Sequence, residues 1–481
     1  MTSMMTLQQA FDWLGTAGIS VKPVGAMTTS LNRVHTDTRT LQGGDLFVAL
    51  KGERFDANDF LAEAKSRGAS AAIAHGGLGV AGLAGLEVAD SKLALGRLAG
   101  RWRMQFDLPL IAVTGSNGKT TVTQMIASIL RNWKQGAAFA TEGNLNNDIG
   151  LPLTLLRLRA SHAAAVVELG MNHPGEIAYL AALASSTVAL VNNAQREHLE
   201  FMATVEAVAH ENGAVISSLG TGGTAVFPAD DDYTALWKML AGNRRHMTFS
   251  APADSPVPAD VTAQAQWMGE GWHVKAITPA GPAEFELRIA GLHNVKNALA
   301  AAACTLAAGA PLACVEAGLA AFVPVEGRSR AHTLTVGGHR ISLVDDSYNA
   351  NPDSMRAAID VLAALPGPRL LVMGDMGEVG SQGPAFHQEA GLYARQSGVE
   401  KLFTLGEQSS SAAAAFADST HFGDIDALKA AVLAQLPAFE SVLVKGSRFM
   451  KMERVVEALS TASLAGNDDG DNNNEERHHA A

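Results

Sequence analysis

The sequence predicts an α/β protein built around a doubly wound, mostly parallel sheet, and three observations predict it. The chain has 481 residues, enough for about three domains. Apolar residues make up 47% and charged residues 17%, which supplies ample core material. From Leu110 onward, short apolar runs without polar alternation recur between helical stretches. That is the pattern of parallel strands covered on both faces.

Taken in order, the first hundred residues mix short strands and helices. GGDLFVALKG (43–52) reads as turn, strand and turn. FLAEAKSRGASAAIA (60–74) reads as a helix stopped at Gly68 and followed by a strand. A helix from about Lys92 to Phe106 ends at the linker DLP (107–109). Strands are expected at 110–114, 163–169, 187–193 and 223–228, with helices after Lys119 and around 174–184 and 205–219. The stretch 262–290 reads as an antiparallel hairpin. The run from Asn297 to Val315 carries no charge, but it is rich in Ala and interrupted by Gly309 and Pro311. It predicts two helices rather than a membrane span. A third α/β set begins near His339, with strands at 340–346, 369–375, 401–406 and 441–446. The expected domains are therefore 1–107, 108–330 and 331–465. The polar stretch 466–481 reads as a disordered acidic tail.

Charge narrows the class of partner. The formal net charge is −12, from 36 Lys and Arg against 48 Asp and Glu. The tail holds five acids against Arg477, so the body is near −8. An acidic body without a basic run repels nucleic acid and anionic membranes. The N-terminus MTSMMTLQQAFDWLG shows neither a basic leader region nor an apolar one. The two cysteines, Cys304 and Cys314, are too few for a disulfide framework and are expected to be buried thiols. The expectation is a cytoplasmic protein with no membrane insertion.

The strongest chemical signal is Val113-Thr-Gly-Ser-Asn-Gly-Lys-Thr-Thr121. A buried strand runs into a Gly-rich turn, and Lys-Thr opens a helix. Gly115, Ser116, Asn117 and Gly118 can close backbone N–H groups around phosphate oxygens at a helix N-terminus. Lys119 can pair with β- and γ-phosphates, and the Thr120 hydroxyl can ligate Mg²⁺. The full phosphate-loop pattern wants Gly where Val113 stands, so this is a shortened form. Glu168 closes the run AAAVVE at the carboxyl end of a parallel strand, where open sheets bind ligands. His198 follows the next strand. Mg²⁺ prefers oxygen, so physics alone favours a surface histidine in a helix-start loop over a ligand. In GLHNVKN (291–297) the side-chain amides can read an adenine edge, or Asn294 can be an N-cap. DDSYNANPDSM (345–355) ends a strand with acid, phenol and amide groups, and the same residues also form ordinary turns. VKGSR (444–448) offers two cations to an anion or forms a solvated turn.

On these residues the sequence resembles the Mur ligase family, ATP-dependent amino-acid ligases of bacterial cell-wall precursor synthesis. The shared features are TGSNGKTT (114–121), the Glu of VVELGMNHPGEI (166–177), NNAQREHLE (192–200), GLHNVKNALAA (291–301) and the Arg of EGR (326–328). TDTR (36–39), GDLFVALKGERFDANDF (44–60), TEGNLNNDIGLPLTLL (141–156), DDSYNANP (345–352), GDMGEVG (374–380) and VKGSR favour the member that acts on a muramoyl-tripeptide. The resemblance implies an N-terminal domain for the uridine nucleotide, a central phosphate-loop ATPase and a Rossmann-like C-terminal domain. It implies ATP and Mg²⁺, and joining of D-alanyl-D-alanine to UDP-N-acetylmuramoyl-tripeptide through an acyl phosphate, by a monomer. It places ATP on residues 115–121, including Thr121, with Asn294 and Asn297 near the adenine, Arg328 near the phosphates and Asp346 near the ribose. Thr120, Glu168 and His198 attend Mg²⁺, and Lys119, Glu168, His198 and Arg328 carry catalysis. Thr38, Arg39, Asn144, Asn146, Asn147, Tyr348, Asn349, Asn351, Lys445 and Arg448 face the other substrates.

One departure stands out. The family commonly carries a carbamylated Lys where this chain has Asn212. Either Asn212 or Glu211 substitutes at a second metal, or His198 and substrate hold that metal. The rival readings are the related folylpolyglutamate synthetase, a phosphate-loop phosphotransferase and a nucleotide-binding regulator without turnover. NLNND and DDSYNANP weigh against the first, and intact Lys119, Glu168 and His198 against the last.

Overall fold

Three separate sheets follow one another along the chain, and a two-stranded ribbon pairs Met5–Thr6 with Ser30–Leu31. The computed structural model describes residues 3–251 and 257–463. The expected tail at 466–481 lies outside the described residues.

The first sheet has five strands, in the order Val21–Val24, Gly85–Val88, Ala71–Ala74, Asp45–Val48, Arg33–His35. Only the first pairs antiparallel. The helix Ser91–Arg103, capped by the Asp90 side chain on the Leu93 amide, leads out of this sheet.

The second sheet has nine strands. Its parallel core runs Val188–Val191, Leu110–Thr114, Ala164–Glu168, Ala138–Ala140, and on the other side Thr224–Pro228 and Arg245–Ser250. Strands Leu110–Thr114 and Ala164–Glu168 are buried along their whole length, as unalternating apolar runs require. The expected hairpin is a three-stranded meander, Val261–Trp267, Trp272–Thr278 and Gly281–Leu287, that extends this sheet. Its first strand pairs parallel to Arg245–Ser250, which is why alternation in the last two strands alone suggested a free hairpin.

The helix Lys119–Lys134 carries Val122, Met125, Ile126, Ile129 and Leu130 at i, i+3, i+4 spacing, and all five are fully buried. The Ala-rich run is two helices, Leu292–Ala307 and Leu312–Ala320, broken at Gly309 and Pro311 as expected. The second packs directly on the middle of Lys119–Lys134. A Cβ on Gly318 would stand 2.4 Å from Ile129 Cα, and Ser128 Oγ donates to the Gly318 carbonyl at 2.7 Å. Cys304 is fully buried here, whereas Cys314 is only partly covered because it sits on the outer turn of the shorter helix. None of the described helices is long and apolar enough to cross a membrane.

The third sheet has six strands in the order Arg330–Val336, His339–Asp346, Ser441–Lys445, Arg369–Gly374, Lys401–Leu405, Ser419–Phe422. All pairs but the first are parallel. Arg330–Val336 alternates weakly and faces solvent on one side, so no apolar run marked it. Separate apolar clusters cover the two faces of this sheet. The crossing from the second sheet to the third, 326–329, is fixed by Asp345, whose Oδ2 accepts from the Gly327 amide at 2.8 Å.

Candidate functional site

A cleft of about 820 Å³ opens where the second and third sheets meet, at the carboxyl ends of their parallel strands. It collects side chains from segments more than 200 positions apart: the loop after Leu110–Thr114, the turn at 144–148, the strand end at Glu168, the loop 192–199, the start of Leu292–Ala307, and the residues after His339–Asp346.

The loop 115–118 turns tightly because Gly115 and Gly118 hold φ of 134° and 80°. At Gly118 a Cβ would also meet Asn297 Oδ1 at 2.7 Å and Asn192 Nδ2 at 2.8 Å. Side-chain amides brace the loop from below. Asn192 Nδ2 donates to the Asn117 carbonyl and to Asn297 Oδ1, at 2.8 and 2.9 Å. Asn297 Nδ2 donates to Asn294 Oδ1, and Asn294 Nδ2 to the Ala290 carbonyl. Asn294 therefore lies inside the helix and does not cap it. Asn193 Oδ1 accepts the Asn117 amide at 2.8 Å. Lys119 Nζ bends back onto its own loop, donating to the Gly115 carbonyl at 2.6 Å and to Glu197 Oε1 at 2.6 Å.

Glu168 is 3% exposed at its strand end. Its backbone amide donates to Thr141 Oγ1, and its Oε1 accepts from Asn146 Nδ2 at 2.7 Å. Asn147 Oδ1 accepts the Gly150 amide and starts the helix Gly150–Leu155.

His198 stands in the left-handed region at φ 50°, wedged between Glu378 Oε2, 2.6 Å from Nδ1, and Glu197 Oε1, 3.4 Å from Nε2. Burial disfavours its charged form, but the two carboxylates outweigh burial and push its pKa up to about 9. His198 is an imidazolium in this arrangement, and its contact with Glu378 ties the second sheet's loop to the third sheet's.

On the far wall, Asp346 Oδ2 pairs with Lys445 Nζ at 2.5 Å, and its Oδ1 accepts the Ser329 amide. Burial opposes ionisation of Asp346, yet Lys445 holds its carboxyl below the usual range. The Arg328 guanidinium lies 4.1 Å over the Tyr348 ring, and Arg448 approaches the same ring at 5.4 Å. Asn351 caps the helix Pro352–Ala363 and donates through Nδ2 to Asn117 Oδ1 at 2.9 Å.

Of the residues singled out from sequence, Ser116 to Thr121, Asn144, Asn146, Asn147, Glu168, His198, Asn294, Asn297, Arg328, Asp346, Tyr348, Asn349, Asn351 and Lys445 line this cleft. Thr38, Arg39, Gly115, Asn212 and Arg448 do not. Arg39 forks onto Asp37 on the first sheet's surface, and Arg448 pairs with Glu453. Asn212 is fully buried behind the loop, where its Oδ1 accepts from Thr114 Oγ1 at 2.7 Å. Glu211 spends both carboxylate oxygens on the Gly175 and Ile177 amides. Sequence reasoning quoted the segments 192–200 and 374–380 but gave no individual role to Asn192, Asn193, Arg196, Glu197 or Glu378. The consecutive polar residues NNAQRE after an apolar strand were the available signal.

Among the described residues, no three His, Cys, Asp or Glu side chains stand close enough to hold a metal ion by themselves. The donors facing the cleft are nonetheless mainly oxygens, and Glu197 Oε2 is buried without a hydrogen-bond partner. Such a donor set fits a hard divalent cation that completes its shell with phosphate and water.

Two family descriptions match the chain, Mur ligase middle domain over residues 113–305 and Mur ligase, glutamate ligase domain, over 330–448. The UDP-N-acetylmuramoyl-tripeptide–D-alanyl-D-alanine ligase of Escherichia coli K12 is 42% identical over 89% of this chain and 94% of its own length. The ligase of the same name from Bacillus subtilis is 31% identical over 91% and 95%. Among solved structures, MurF from Acinetobacter baumannii aligns with a TM-score of 0.86 at 33% identity, covering 94% of this chain and 98% of that one. MurF ligase from Thermotoga maritima in complex with ADP aligns with a TM-score of 0.80 at 26% identity, covering 90% and 98%.

Proposed function

The chain belongs to the Mur ligase family, and from that premise we propose that it joins D-alanyl-D-alanine to UDP-N-acetylmuramoyl-tripeptide at the expense of ATP. The observation that carries this is the shared cleft. It faces a phosphate loop, the Asn144–Asn147 turn and the Tyr348–Asn351 turn toward one another.

A carboxylate is a poor electrophile, so amide formation needs activation. The tripeptide's terminal carboxylate oxygen attacks the γ-phosphorus of ATP, and ADP leaves. The amine of the dipeptide attacks the resulting acyl phosphate, and phosphate leaves as the amide forms and the amine sheds a proton. No side-chain nucleophile is required, so the protein acts by positioning and by electrostatics. Residues 115–121 cradle the phosphates with backbone amides, and Lys119 swings from its loop carbonyls to them. Arg328 lies across the cleft, held flat by Tyr348, to meet charge developing there. Asn294 and Asn297 support the loop from below, and Asp346 with Lys445 shapes the nucleotide side. Asn146, already bonded to Glu168, and Asn144 face the peptide substrate. Thr120, Glu168 and His198 would hold Mg²⁺, His198 only after releasing its proton and its carboxylate contacts. Bound there, Mg²⁺ would offset charge on the transferring phosphate.

The same reading divides the chain at 107 and 330, with the first sheet, carrying Thr38 and Arg39, receiving the uridine end. It takes the enzyme as a monomer, and as cytoplasmic because ATP and a nucleotide-linked precursor are both soluble. Mass spectrometry of the product tests the proposal. The expected species is the tripeptide precursor enlarged by one dipeptide residue mass, formed only with ATP; an unaltered precursor after full ATP turnover overturns it.

A further inference from the structure

We infer that Glu197, which pairs with Lys119 in this structure, is a metal-binding carboxylate of the ATP site that takes a divalent cation once nucleotide is bound. The inference rests on the ATP reading above and adds a residue that no motif assigned.

Glu197 follows two anchored residues. Gln195 is bonded to Ser116 through its own amide, at 2.9 Å, and Arg196 is pinned to Asp353 by three hydrogen bonds. Glu197, next in the chain, is 8% exposed and faces the cleft. Its Oε1 meets Lys119 Nζ at 2.6 Å and stands 3.4 Å from His198 Nε2. Its Oε2 is buried with no hydrogen-bond partner. A buried carboxylate oxygen without a donor is costly to keep.

Nucleotide binding makes that cost larger. When the phosphates draw Lys119 to themselves, Glu197 loses its closest cation and faces a polyanion at short range. Two anions in a low-dielectric cleft repel strongly unless a cation stands between them. A hard divalent ion satisfies both, taking the carboxylate and phosphate oxygens together. On the helix Val205–Ser217, Asn212 is neutral and turned away, Glu211 is spent on backbone amides, and Glu206 is not part of the cleft lining. Glu197 therefore makes the site select metal-bound over metal-free nucleotide.

The test uses the full chain, Mn²⁺ and the non-hydrolysable analogue AMP-PNP. Mn²⁺ affinity is read by electron paramagnetic resonance at saturating AMP-PNP, and metal-free AMP-PNP affinity is read by calorimetry in EDTA. In Glu197→Gln we expect Mn²⁺ affinity to fall at least tenfold, while metal-free AMP-PNP binds equally or more tightly because Lys119 is released. Glu197→Asp, which keeps the charge, should recover part of the Mn²⁺ affinity. Unchanged Mn²⁺ affinity in a folded Glu197→Gln overturns the inference. So does an equal loss of Mn²⁺ and metal-free nucleotide affinity, which would mean that Glu197 only positions Lys119. A parent protein that binds no AMP-PNP under either condition overturns the ATP reading itself.

Discussion

Arg196 grips Asp353 across 157 positions of sequence, donating from its backbone amide at 2.7 Å, from Nε at 3.0 Å and from Nη2 at 2.7 Å. Its Nη1 reaches Glu389 at 2.9 Å, and its guanidinium lies 5.3 Å from the Phe386 ring centre. This one side chain joins the loop that carries Glu197 and His198 to two helices of the third sheet, Pro352–Ala363 and Gly383–Gln396. The alternation is tight. Gln195 bonds back to the phosphate loop, Arg196 outward to the third sheet, Glu197 back to Lys119, and His198 outward to Glu378.

Charge-assisted bonds of this partly buried kind are worth about 1.5–3 kcal/mol each when cut. Arg196→Ala is therefore expected to weaken docking of the third sheet on the second by about 2 kcal/mol, or roughly 30-fold. Small-angle scattering should show a larger radius of gyration, and kcat should fall more than thermal stability does. An unchanged radius with unchanged kcat would remove Arg196 from this role.

The same joint should respond to acid. Arg196 holds the Glu389 carboxyl below the usual carboxylate range. A depressed folded value means the contribution is complete above the ordinary glutamate pKa of about 4.3 and is lost as pH falls through the folded value. Docking followed by scattering should loosen on the acid side of that range.

Lys119→Ala is expected to leave ligation below a few per cent of the parent rate with the far-ultraviolet circular dichroism unchanged. Its ammonium serves the loop and phosphate, not the core. Ligation at a substantial fraction of the parent rate would contradict the phosphate-loop assignment.

Asn212 has a structural assignment to test. Its Oδ1 accepts from the buried Thr114 hydroxyl, so Asn212→Ala should cost about 1–3 kcal/mol of stability and lower the thermal midpoint. The Mg²⁺ dependence of turnover should stay within about twofold of the parent. Added bicarbonate should change nothing, since no lysine stands there. A large rightward shift of the Mg²⁺ titration would place Asn212 at the metal after all.

Packing behind the site is as testable as the site. A methyl on Gly318 would overlap Ile129 Cα at 2.4 Å. Gly318→Ala should therefore push the helices Lys119–Lys134 and Leu312–Ala320 apart and destabilise the protein by about 1–3 kcal/mol. A thermal midpoint equal to the parent's would show that the helices give way freely.

The phosphate loop and most of the parallel strands were legible because each is a local signal. TGSNGKTT is contiguous, and LIAVT or SVLVK needs no partner to read as buried. Short and half-exposed strands were harder. Ala138–Ala140, Arg245–Ser250, Arg330–Val336 and Ser419–Phe422 are short or half-exposed, and only pairing with a neighbour makes them strands. Among cleft residues, Glu168 and Lys119 stand at element ends where chemistry is expected. Glu197 and Arg196 take their meaning from residues 78 and 157 positions away, and no spacing rule within one segment carries that. Asn294 and Asn297 were found for a ligand's edge, but the structure commits their amides to bracing the loop.

The central claim is that ATP cleavage in this cleft is coupled to amide formation. Phosphate release from ATP should be measured with UDP-N-acetylmuramoyl-tripeptide present, with and without D-alanyl-D-alanine. The account predicts sustained release only with the dipeptide, one phosphate for each dipeptide consumed. Equal release without the dipeptide would contradict it.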